Sequence, residues 1–179
     1  MNPDPAYIAD IQQAWAQSDA SGSANERGAI LEELVKSLFG GLPGFSHWKS
    51  RHLTNDGSAE FDVCFHNDIR LSPFPFAEPA IVVECKNTGR RIDAAGVRNF
   101  IAKLEDVQVS WAFLVAAQGI TGSGGRNTRA HAAIQSACGR KVNLLVVTRA
   151  EIEALQSAEH FAVLVRDKIM AHSLNAPFF

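Results

Sequence analysis

An α/β fold with a mixed central sheet flanked by helices is predicted, on three observations. Short apolar runs of strand type occur at 60–66, 81–86, 111–117 and 142–147. The segments around them carry apolar residues at helical spacing, such as Ile30, Leu31, Leu34, Val35 and Leu38, or Val97, Phe100, Ile101 and Leu104. The chain has 179 residues, 46% hydrophobic and 20% charged, enough to bury a sizeable core. The order helix, three strands, helix, strand, helix, strand belongs to the α/β class. No internal repeat is present.

Taken in order, residues 5–16 form a short amphipathic helix with Tyr7, Ile8, Ile11 and Trp15 on one side. A small polar linker covers 18–24, and Asn25 is the expected cap of the next helix. That helix runs to Phe39 and stops at the breaker cluster Gly40-Gly41-Leu42-Pro43-Gly44. Residues 45–53 read as a strand, and the turn-like 54–58 leads into the strand at 60–66. Three prolines within 72–79 mark an extended loop. Asp93 caps a helix lasting to Leu104; a strand at 111–117, a helix at 127–138 and a strand at 142–147 follow. Helices at 149–156 and 158–172 end the chain.

Chemistry is concentrated at Ile81-Val82-Val83-Glu84-Cys85-Lys86, an apolar run that ends in a carboxylate and an amine. Side chains alternate across a strand, so Glu84 and Lys86 share one face and Cys85 takes the other. In the upstream strand, alternation puts Phe61, Val63 and Phe65 on the apolar face and Glu60, Asp62, Cys64 and His66 opposite. Pairing of the two strands lets Asp62 share a face with Glu84 and Lys86. Two carboxylates and a lysine in such a place can hold Mg²⁺ through oxygen ligands and leave room for water and phosphate oxygens. As isolated residues they would be ordinary sheet-edge charges.

Asp62 followed by Glu84-Cys85-Lys86 resembles the PD-(D/E)xK nuclease superfamily, and within it the restriction-endonuclease-like enzymes of Mrr type. The resemblance extends over roughly 25–155. It takes in Glu26-Arg27-Gly28-Ala29-Ile30-Leu31-Glu32-Glu33-Leu34, similar to the family's first core helix, and Val97 to Leu104, similar to the helix after the active-site strand. Trp111 to Val115 and the Gly/Ser/Thr loop before Ala130 look like the next strand and loop. One departure is that Phe61, not proline, precedes Asp62. The resemblance implies a restriction-endonuclease-like core at 25–157, preceded by a helix and linker at 1–24 and followed by a helix and tail at 158–179.

It further implies that Asp62 and Glu84 are metal ligands, with Mg²⁺ as the cofactor and Mn²⁺ as a substitute. Lys86 would position or help deprotonate the attacking water, or stabilise transition-state charge. A helix glutamate would complete the metal site. Periodicity does not choose between Glu32 and Glu33, which flank the apolar stripe almost symmetrically; the family spacing from Gly28 favours Glu32. The implied activity is DNA endonuclease cleavage, in bacterial restriction or defence. The alternative is a catalytically silent nuclease-fold subunit for DNA binding or assembly.

Charge gives only local support for such a partner. A net charge of −2 and a pI near 6.3 do not suit coating of DNA by electrostatics alone. Arg90 and Arg91, just past the catalytic strand, and Arg98, Arg126 and Arg129 are the candidate backbone contacts. Gly122, Gly124 and Gly125 could form a phosphate nest, but no Gly-Lys-Ser/Thr follows, which excludes a nucleotide-binding P-loop. No helix-turn-helix or zinc-finger signature appears, so sequence recognition would come from a homodimer, a specificity subunit or a fused domain. The apolar stripes of the first and last helices offer an oligomer interface as an alternative to intramolecular packing. Three cysteines without metal-type spacing and six scattered histidines argue against a zinc site and suit reduced, cytoplasmic thiols. No apolar run reaches the ~20 residues that span a bilayer, and the N-terminus lacks signal-peptide character.

Overall fold

Asp4 begins the first helix by accepting the N–H groups of Ala6 and Tyr7, which caps α1 (Pro5–Ala20). The computed structural model describes residues 2–122 and 129–174. The next helix, α2 (Ala24–Gly40), is capped by Ser23, whose hydroxyl accepts the Glu26 N–H, and not by Asn25. A serine at this position satisfies an orphan donor as well as asparagine does, so composition alone left the start of α2 short by two residues. β1 (Phe45–Leu53), β2 (Glu60–Asn67) and β3 (Ala80–Lys86) follow. The remainder is α3 (Ala94–Asp106), β4 (Trp111–Ala116), α4 (Arg129–Cys138), β5 (Asn143–Thr148), α5 (Arg149–Glu153) and α6 (Ala158–Ser173).

One five-stranded sheet runs in the order β1-β2-β3-β4-β5. β1–β2 and β2–β3 pair antiparallel; β3–β4 and β4–β5 pair parallel, with α3 and α4 as the crossovers. The fold is therefore α/β with a mixed sheet flanked by helices. On one side Leu31, Leu34, Val35, Leu38 and Phe39 of α2 pack with α1, α5 and α6 against Val63, Phe65, Val83, Phe113 and Leu145. On the other, Val97, Phe100, Ile101 and Leu104 of α3 and Ala133 and Ile134 of α4 cover Val82, Ala112, Leu114 and Leu144. Ile11 and Trp15 of α1 and Phe161, Val165 and Ile169 of α6 are buried in the first of these clusters. The stripes that offered an oligomer interface are thus used within the chain.

The long β2–β3 connection is latched from inside. Buried Asn67 donates its side-chain amide to the carbonyls of Phe74 and Glu78. Gly44, entering β1, holds φ +76° and its carbonyl accepts the Asp68 N–H. A Cβ at Gly44 would stand 2.6 Å from the Ser72 nitrogen and 2.8 Å from the Asp68 carbonyl oxygen, both backbone atoms that cannot swing away. Gly44→Ala is expected to lose at least about 1–3 kcal/mol from the left-handed backbone alone. A thermal melt of the variant checks this, and an unchanged midpoint would mean the turn is free to rearrange.

Candidate active site

Pairing between β2 and β3 covers Val63↔Val83 to His66↔Ala80. Beyond it Glu60–Asp62 of β2 part from Glu84–Lys86 of β3. The parting breaks the expected alternation: Phe61 packs with Cys64 and Val82, on the opposite side of the sheet from Val63 and Phe65. A strand held on one side only, here by β1, is freer to twist, which a period-two pattern cannot anticipate. The Cys85 N–H, a donor without a ladder partner at this level, donates instead to Asp62 Oδ2 at 2.7 Å. The Asp62 carboxylate is thereby fixed against the end of β3.

Glu84 and Lys86 share the face covered by α3, as alternation requires. Lys86 Nζ lies 2.7 Å from Glu84 Oε1, and Lys103 Nζ, reaching across from α3, lies 3.7 Å from the same oxygen. Lys103 also donates to the Glu60 carbonyl. The Glu84 side chain is only 5% exposed, and its second oxygen, Oε2, is buried with no hydrogen-bond partner. Burial pulls the Lys86 ammonium down, but its hydrogen bond to Glu84 and the charges of Glu84 and Asp62 outweigh it and hold the group above its usual range. Burial pushes the Cys85 thiol well up, and the charges of Asp62, Glu32 and Glu84 add to the effect. The charges of all three carboxylates thus act on Cys85, and Asp62 also accepts its N–H.

Glu32 and Glu33 part ways in the folded chain. The Glu32 side chain is 13% exposed and takes the Arg51 guanidinium, with Nε 3.3 Å from Oε2. Glu33 is 73% exposed and pairs with Lys36. Arg51 sits between Ser50 and His52, which pair with Val63 and Phe61, and so lies across from Asp62. It holds φ +49°, a conformation few side chains adopt. Its hydrogen bond to Glu32 first, then the charges of Glu32, Glu60 and Asp62, keep it above its ordinary range.

A cleft of about 600 Å³ opens over this site, lined by Glu84, Lys86, Arg90, Arg91, Asn99 and Lys103 among others. Its walls are the turn after β3 and the first half of α3, which Asp93 caps by accepting the Gly96 N–H. Asn87 ties that turn to α1 and α2 through Ser18 Oγ and the Arg27 carbonyl. Of the arginines singled out from sequence, Arg90 and Arg91 line the cleft. Arg98 is exposed on α3 outside it, and Arg129 is exposed at the start of α4. Arg126, with Gly124 and Gly125, lies outside the described residues. Lys103 and Arg51 are not among the site residues to which the sequence points. Lys103 had a signal, since Gly96, Asn99 or Phe100, and Lys103 fall on one helical face.

Oxygen donors in a partly buried setting suit a hard divalent cation. Among the described residues, no group of three or more His, Cys, Asp or Glu side chains is gathered for a metal ion. Two carboxylates are nevertheless a sufficient protein contribution for Mg²⁺, which keeps most of its shell as water and phosphate oxygens. A buried carboxylate oxygen without a donor, as at Glu84 Oε2, is costly unless a cation or proton meets it. The oxygen donors that would meet such a cation are those of Asp62 and Glu84.

No helix among the described residues is long and apolar enough to cross a membrane. Comparison with models of known protein families finds no match, and no curated protein matches the chain.

Proposed function

We propose that the chain is a divalent-metal-dependent endonuclease that hydrolyses DNA phosphodiester bonds, built on a restriction-endonuclease-like core and acting in restriction or defence. The observation that carries this reading is the seam between β2 and β3. Asp62 accepts the N–H of Cys85, the residue between Lys86 and Glu84 with its unpartnered buried oxygen. Asp62 and Glu84 would hold Mg²⁺ or Mn²⁺, which supplies an activated water and charge neutralisation for in-line attack. Lys86 presents an ammonium at the same point, placed to hold an anionic phosphate oxygen. Lys103, Arg90 and Arg91 give the cleft the positive lining that a polyanionic backbone requires. Glu32 orients Arg51 beside Asp62.

A second reading has its own observation. Two ammonium groups meet at Glu84 Oε1, so lysines already supply the positive charge that a cation would bring. That arrangement suits a catalytically silent nuclease-fold subunit that binds DNA or assembles with a specificity partner. A cleavage assay on supercoiled plasmid separates the two. The nuclease reading expects nicking or linearisation with Mg²⁺ or Mn²⁺, abolished by EDTA. Binding to the plasmid without cleavage, unchanged by either metal, would favour the silent subunit.

A further inference from the structure

A second cavity, of about 370 Å³, opens on the same face of the sheet as Glu84, beyond the C-terminal end of α3. Phe61, Cys64 and Val82 line it, with Trp48 and His52 of β1 on one side and Val107 on the other. Its lining is mainly apolar and aromatic, and its size is that of a small-ligand site. Trp48 is 60% exposed, which core packing does not explain for so large an apolar ring. The His52 ring meets the Trp48 ring edge-on at 5.0 Å, and the Lys49 ammonium stands 5.6 Å from its centroid.

We propose that this cavity receives one unpaired base of a nucleic-acid strand whose backbone runs through the neighbouring cleft; the identity of the polymer rests on the nuclease reading. Three features select this occupant. Aromatic rings suit a flat heterocycle, because every base offers a π-face for stacking. Lys49 puts a cation beside the stacking ring, where the phosphate of a stacked nucleotide needs one, and Lys86, Lys103, Arg90 and Arg91 continue the positive lining in the cleft. The cavity also adjoins the seam: Phe61 directly precedes Asp62, and Val82 lies two strand positions, roughly 6.6 Å, before Glu84 on one face. A base held there and a phosphate at Lys86 in the cleft belong to nearby nucleotides of one strand. Duplex DNA keeps its base faces stacked, so the base must come from a single strand or be flipped from a mismatch.

Trp48→Ala tests the assignment, since a residue this exposed can be removed without opening the core. Fluorescence anisotropy of the full chain in EDTA, where cleavage plays no part, compares a labelled single strand, a perfect duplex and a duplex with one central mismatch. The parent is expected to prefer the single strand and the mismatch over the perfect duplex. Trp48→Ala should weaken those two by about tenfold, change duplex affinity less than twofold, and be rescued largely by Trp48→Phe. Absence of single-strand binding by the parent overturns the proposal, as does an unchanged affinity in Trp48→Ala or an equal loss on the perfect duplex. Plasmid cleavage is scored separately on the same preparations. Cutting without a Trp48 effect keeps the nuclease and removes the base pocket, whereas Trp48-dependent binding without cutting keeps the pocket and removes catalysis.

Discussion

Lys86→Ala is expected to lower metal-dependent plasmid cleavage by about a hundred- to a thousandfold, the usual effect of removing one preorganised charge at a reacting phosphate or oxyanion. The side chain is 40% exposed at the very end of β3, so it contributes little to the core. Its loss does remove the 2.7 Å partner of a nearly buried carboxylate, which in isolation is severely destabilising. Lys103, already 3.7 Å from the same oxygen, can move in and limit that cost. The variant should therefore melt near the parent while its turnover collapses. Single-turnover cleavage beside a circular-dichroism melt reads both quantities. Cleavage equal to the parent's would end the assignment of Lys86, and a collapse of both activity and melting point would make its role structural.

Phe39→Ala is expected to destabilise the fold by about 3–5 kcal/mol, among the largest effects a single core truncation gives. The ring is fully buried where α2, β1, β2, β4 and α6 meet. Its centroid lies 6.1 Å from that of Phe45, 5.3 Å from Phe65, 4.8 Å from Phe113 and 5.0 Å from Phe161. Backbones from five elements cannot all close on the void, so the loss combines transfer, cavity and aromatic-pair contributions. For a chain of this size that corresponds to a midpoint lowered by roughly 6–20 °C. Urea or thermal unfolding checks it, and a loss under about 1 kcal/mol would mean that α2 and α6 repack readily around a smaller residue.

The site was legible to different depths. Glu84 and Lys86 share a face because strand alternation is a local property, and it held where β3 stays paired with β4. Asp62 lies at the same seam, but by another route than alternation: β2 parts from β3 beyond Val63, and a carboxylate replaces the missing backbone acceptor of Cys85. Periodicity could not separate Glu32 from Glu33, since both flank the apolar stripe. Arg51, arriving from another strand in a positive-φ conformation, distinguishes them by engaging Glu32, while the exposed Glu33 pairs with Lys36. Lys103 stayed hidden within an amphipathic pattern whose polar face usually meets only water.

Local chemistry determined the strand at Phe45–Leu53, the Asp93 cap of α3, the stop of α2 at its glycine cluster and the alternation of apolar runs with helices. Each depends on residues adjacent in the chain, through backbone conformation, capping hydrogen bonds or side-chain period. Tertiary structure alone decided the sheet order, the break at Phe61, the two lysines on one buried carboxylate and the aromatic cavity beside them. Those depend on which distant segments meet, and the burial and charge that result exist only after the chain has closed on itself.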